Sequence, residues 1–149
     1  MVKGSVMGMG RSNPMKAWLA LGLALGLAML PVCAHGEEWA RPFETLCVEE
    51  IWSVELRIAP WGSVIIEAEE DLERLVLALR ELVIYEPDAA WMQSDGQYIG
   101  LVLNMVSGQR LELGEYNPFF IIAGQGYQAE YEPCEVLGAL CLELVRGGG

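Results

Sequence analysis

Apolar and polar positions along this chain change their period several times, and each change marks an element. Between Asp71 and Val83, the residues Leu72, Leu75, Val76, Leu79, Leu82 and Val83 recur at three- and four-residue steps. Asp71, Glu73, Arg74, Arg80 and Glu81 are left on the opposite side. The spacing predicts an amphipathic helix whose stripe needs an apolar sheet to lie on. Ahead of it, Ile51–Ile58 alternates, with Trp52, Val54, Leu56 and Ile58 set against Ile51, Ser53, Glu55 and Arg57. That two-residue period predicts a half-buried strand. Ala59-Pro60-Trp61-Gly62 reads as a turn into a second strand, Ser63–Ala68.

Behind the helix, residues 84–97 read as a connecting loop, with Pro87 stopping the helix and Asp95-Gly96 as a turn pair. Tyr98–Ser107 is an apolar run that suits a central strand. Ser107-Gly108, Asn117-Pro118 and Gly124-Gln125-Gly126 then turn the chain through Gln109–Tyr116, Phe119–Ala123 and Tyr127–Tyr131. Pro133–Val145 predicts a second helix, because proline suits a first helical turn. Its buried face is Cys134, Leu137, Cys141, Leu144 and Val145, widened by Val136, Leu140 and Leu142, and its outward stripe is Glu135, Ala139 and Glu143. The order β-β-α-β-β-β-β-α predicts an α+β fold: a mostly antiparallel sheet of about six strands with two helices on one face.

The N-terminal third changes the picture of the domain. Lys3, Arg11 and Lys16 precede an uncharged run from Ala17 to Ala34. A basic start, an apolar middle and a small-residue exit are the parts of a secretory signal. Val32-Cys33-Ala34 fits cleavage before His35. Leu30-Pro31-Val32-Cys33 fits lipidation of Cys33, and the run of 18 residues also reaches the lower edge of a membrane anchor. The expected organisation is therefore a signal or anchor over 1–34, a lead-in over 35–50 and one α+β domain over 51–146. Localisation is expected to be secreted or at the cell envelope. Residues 1–34 hold 3 of the 9 basic residues and none of the 21 acidic ones. The remainder carries six arginines, no lysine and 21 acids, a net charge of −15. Such a surface repels nucleic acid and anionic membrane, so contact with a membrane is expected only through an N-terminal anchor or lipid.

Candidate chemistry is sparse. The sole histidine, His35, sits beside the cleavage position. No folded histidine is left for a Ser-His-Asp or Cys-His arrangement, and no lysine for a Schiff base. No phosphate-binding or nucleophile-elbow motif is present. Neither the cysteines nor the acids have the spacing of a metal site, so no metal and no cofactor are expected. With Cys33 removed or lipidated, Cys47, Cys134 and Cys141 remain. Cys134 and Cys141 on one helix lie about 10 Å apart, too far to bond. One bridge from Cys47, to Cys134 or Cys141, stays open in an oxidising compartment, as does a set of three free thiols acting as small apolar residues. Trp61, Trp91, Tyr116 and Phe119 fall in or beside turns and loops. They are the candidate contact residues for a partner or ligand, or else they close the ends of a small core.

The stretches VELRIAPWGSVIIEAEEDLERLVLALREL and YIGLVLNMVSGQRLEL, with the Gly126-Tyr127 turn, resemble small exported proteins of unknown function from Gram-positive bacteria, many of them of lipoprotein type. In that group a short helix with spaced leucines follows the first hairpin. Here Ala68 stands where a capping residue is expected. The resemblance implies envelope localisation and no known activity. The expected function is that of a non-catalytic envelope protein binding a protein or small ligand. An acidic inhibitor or immunity-type module masking a basic partner is the second reading, and a carboxylate-based hydrolase the third.

Overall fold

The computed structural model describes residues 39–148; the expected signal or anchor over 1–34, with the lipidation candidate Cys33, lies outside them. Seven strands form one wholly antiparallel sheet: β1 (Ile51–Ile58), β2 (Gly62–Ile66), β3 (Ile84–Pro87), β4 (Ile99–Met105), β5 (Arg110–Tyr116), β6 (Phe119–Ile122) and β7 (Gln125–Ala129). Their spatial order is β2-β1-β4-β5-β6-β7-β3. Helix α1 (Glu69–Arg80) follows β2, and α2 (Tyr131–Gly147) follows β7. The α+β class and the two-helix layer stand as expected, with one strand more than the pattern had suggested. That strand is β3, four residues at the start of the stretch read as a loop. It is too short to show a period, and Pro87 reads as a breaker although an edge strand tolerates it.

One face of the sheet is apolar and carries both helices. Val54, Leu56 and Ile58 of β1, Leu101 and Leu103 of β4, Leu113 of β5 and Phe120 of β6 are buried there. Leu72, Leu75 and Leu79 of α1 and Cys134, Leu137 and Cys141 of α2 lie against them. This inner face repeats the helical and strand periods of the sequence. Ile51, Trp52 and Val136 depart from them. Trp52 is 70% exposed and Ile51 is buried. A bulge causes this: Ile51 pairs with Met105 and Ser53 with Asn104, so Trp52 is an extra residue and the alternation flips across it. Val136, expected to widen the buried face of α2, is also exposed.

The lead-in takes part in the fold. Ala40 forms an isolated antiparallel bridge with Ile84 of β3, Arg41 pairs with Glu81 at 2.7 Å, and Phe43 sits in the core with its ring edge-on to Phe120 at 6.0 Å. Trp39 stays exposed. Helix α1 starts at Ala68 with no side-chain cap, and Glu69, Glu70 and Asp71 occupy its first turn, where carboxylates favour the positive end of the helix dipole. Arg74 ties α1 to α2 through Glu143 at 2.8 Å.

Candidate functional site

The topology forces one connection across the open face of the sheet. β3 is an edge strand beside β7, while β4 lies between β1 and β5. Residues 88–98 must therefore pass β7, β6 and β5, and the inner face is already taken by helices. The crossing is anchored at its start: the Asp88 N–H donates to the Gly126 carbonyl at 2.9 Å. The Asp88 carboxylate accepts from the Gln128 amide at 2.9 Å and the Ala90 N–H at 2.8 Å. These donors hold the Asp88 carboxyl below its ordinary range. Midway, the Tyr116 hydroxyl donates to the Ser94 carbonyl, and at the far end the Gln97 amide donates to the Ala59 carbonyl at 2.7 Å.

The sheet makes room for this strap with glycines. Arg57, Gly100, Gly114, Ile121 and Gly126 are successive cross-strand partners from β1 to β7, so they form one row on the outer face. A methyl group at Gly126 would overlap the Trp91 indole, and one at Gly114 would overlap the Tyr98 ring. The two rings lie where side chains are missing, a close approach that glycine permits. Tyr98 and Tyr116 stand 6.2 Å apart, tilted to each other.

Where the strap ends, an open groove of about 640 Å³ begins. The β1–β2 turn and Ser63 bound one side, Gln97 and Tyr98 the other, and Gly100 lies in the floor between Arg57 and Glu112. Arg57 is set by Glu55: its Nε and a terminal nitrogen both lie 2.9 Å from Glu55 Oε1, while Arg110 approaches Glu55 Oε2 at 4.0 Å. The bond to Arg57 holds the Glu55 carboxyl below its ordinary value, against a smaller opposing effect of desolvation. Desolvation, with the nearby Glu112 charge, raises the Tyr98 phenol. The groove thus combines an aromatic wall with fixed donors and acceptors, a set suited to recognition.

Of the four aromatic candidates, three gather on this outer face. Trp91 and Tyr116 are half-buried in the strap assembly, and Phe119 is half-buried in the row beside Tyr116 and Gln128. Trp61 is apart from them, 51% exposed in the β1–β2 turn with the Arg146 guanidinium 4.7 Å over its ring. Sequence reasoning had missed Tyr98, which reads as the first residue of a strand. The signal that would have found it is the run of glycines at outward positions of β4, β5 and β7. The three described cysteines are free thiols: Cys47 is exposed while Cys134 and Cys141 are buried, so the Cys47–Cys134 bridge is not formed. Burial, with the charge of Glu115 adding to it, pushes both core thiols up to about 12, which keeps them protonated and unreactive.

Glu115 is the one buried acid on the inner face. It lies under Gly138 of α2 and accepts from the Asn117 N–H at 2.9 Å; the Asn117 amide donates to Glu135 at 3.1 Å. Burial raises its carboxyl to about 7, with the Asn117 bond opposing and the Glu135 charge adding. The sheet separates this carboxyl from the groove. Among the described residues no group of three or more histidines, cysteines or acids is placed to hold a metal ion, and no helix is long and apolar enough to cross a membrane. No protein family, curated protein or solved structure matches the chain.

Proposed function

We propose that this chain is a non-catalytic protein of the cell envelope that acts by binding, and that the outer-face groove is its contact site. The observation that carries the reading is the row of glycines roofed by the strap aromatics. It leaves Tyr98 and Arg57 fixed side by side at an open groove, with Glu112 and Gln97 beside them. A protein segment or a small polar ligand matches that chemistry. The export reading rests on the basic, apolar and small-residue succession of residues 1–34 and on the resemblance to exported lipoprotein-type proteins. The net charge of −15 beyond residue 34 supports a second reading, an acidic inhibitor that masks a basic partner.

Site-specific photo-crosslinking of the full chain in a secretion-competent Gram-positive host tests both. A crosslinking residue is placed at Glu112 in the groove, at Glu70 on the acidic start of α1, and at Leu77 on the exposed helix face. Adducts from position 112 and none from 77 are expected, and intact mass separates a small ligand from a protein. Adducts confined to position 70 favour the inhibitor reading. Adducts confined to position 77 sink both.

A further inference from the structure

Tyr98 lies across the sheet rather than standing on it. Its Cε1 is over Gly100 of β4, 3.4 Å from where a Cβ would sit, while Cε2 and Cζ are over Gly114 of β5, each 2.8 Å from the corresponding point. Opposite edges of the ring thus rest on two strands, and the residue keeps 41% exposure on the groove side. Beside the ring, the floor is Gly100 and the buried Val102, whose cross-strand partners are Glu55 and Glu112. The four charges gathered here, Arg57, Arg110, Glu55 and Glu112, sum to zero in a chain that is strongly acidic beyond residue 34. Arg57 donates to Glu55 through Nε and Nη2, which leaves Nη1 as its donor for a ligand. Gln97 Nε2 donates to the Ala59 and Tyr98 carbonyls, at 2.7 and 3.3 Å, so its amide is fixed beside the ring.

Three ligand classes fit this surface poorly. β1, β4 and β5 are each paired on both sides, so the floor offers an extended peptide no backbone ladder. A phosphorylated ligand is opposed by the net charge of the chain, and a cation by Arg57 and Arg110. What remains is an uncharged molecule with an apolar face for the ring and hydroxyls for planar donors and acceptors. A pyranose with equatorial hydroxyls has both: C–H bonds line its flat faces, and hydroxyls surround its edge. Taking the groove as the contact site, on which this rests, we propose that its ligand is a neutral glycan, with one pyranose seated by its C–H face on Tyr98 and its edge hydroxyls held by Arg57, Glu112 and Gln97. A guanidinium donates to sugar hydroxyls, a carboxylate accepts from them, and the amide carbonyl of Gln97 adds a second acceptor.

Isothermal titration calorimetry of the full chain tests this, in a polyoxyethylene detergent that itself carries no sugar. Cellotetraose, chitotetraose and maltotetraose are the neutral probes, and tetragalacturonate is the anionic one. Saturable binding of at least one neutral probe is expected, with tetragalacturonate weaker by about tenfold or more. Tyr98→Phe should keep the affinity within about threefold, and Tyr98→Leu should lower it by about tenfold or more. Glu112 is exposed, so Glu112→Gln should leave the fold intact and lower the affinity by about tenfold. Circular dichroism checks the folding of each variant; if Tyr98→Leu does not fold, Glu112→Gln carries the test. The proposal is overturned if no neutral probe binds, if binding is indifferent to the folded variants, or if tetragalacturonate binds equally well. Where the neutral probes fail, a photo-crosslinking residue at Ser63, on the opposite wall, separates this proposal from the reading beneath it. An adduct there keeps the groove as a contact site for another ligand, and no adduct removes that reading as well.

Discussion

At the scale of single residues, Glu115 ties the stability of the fold to pH. A carboxyl whose value rises from about 4.5 to about 7 on folding binds its proton more tightly in the folded chain. Its contribution to stability is therefore complete below about pH 4.5 and is lost as the pH climbs through 7. The full effect is on the order of 3 kcal/mol. Urea unfolding at pH 5 and pH 8 should show the protein less stable at pH 8. Glu115→Gln should remove most of that difference and raise stability at pH 8, because the amide still accepts from the Asn117 N–H without burying a charge. A variant as pH-dependent as the parent would contradict this. Nothing in the sequence marks Glu115 among its 21 acids. It follows the alternation Leu111, Leu113 inward, and only the tertiary cover of Gly138 shows that an acid has taken an apolar place.

At the scale of elements, the strap and the lead-in depend on positions that look unremarkable in the sequence. Gly126→Ala should push Trp91 and the Asp88 carbonyl away from β7 and cost about 1–3 kcal/mol, an overpacking penalty. Gly147→Ala, at the end of α2 with open space around it and no positive φ, should cost nothing measurable in the same thermal melts. Equal losses at both glycines would mean that the strap is not seated as described. Phe43→Ala should lose about 3–5 kcal/mol, as for any buried phenylalanine, while Trp39→Ala should leave the unfolding midpoint unchanged. Helices α1 and α2 and the strand β1 were legible because their periods are long enough to count. The bulge at Trp52, the four-residue β3 and the lead-in bridge were not, since each depends on a partner distant in sequence.

At the scale of the whole molecule, the α+β layering could be read from amphipathic surfaces alone, but the placement of strands could not. Hairpins fix β1–β2 and the β4–β7 meander locally. The pairing of β1 with β4 and of β3 with β7 encloses the helix and the strap, and no local pattern specifies it. The same limit applies to the site: Trp91, Tyr116 and Phe119 were visible as loop aromatics, whereas the row of glycines that assembles them exists only once four strands are side by side. That assembly gives the molecule a built-in optical reporter. Of the tryptophans in the described residues, Trp39, Trp52 and Trp61 face solvent, and Trp91 alone is half-buried. Within residues 39–148 the blue edge of the intrinsic emission therefore belongs to Trp91, on the same strap whose far end, Tyr98, walls the groove. A ligand that seats against Tyr98 should shift or quench that edge while leaving the solvent-exposed emission in place, so occupancy can be followed without a label.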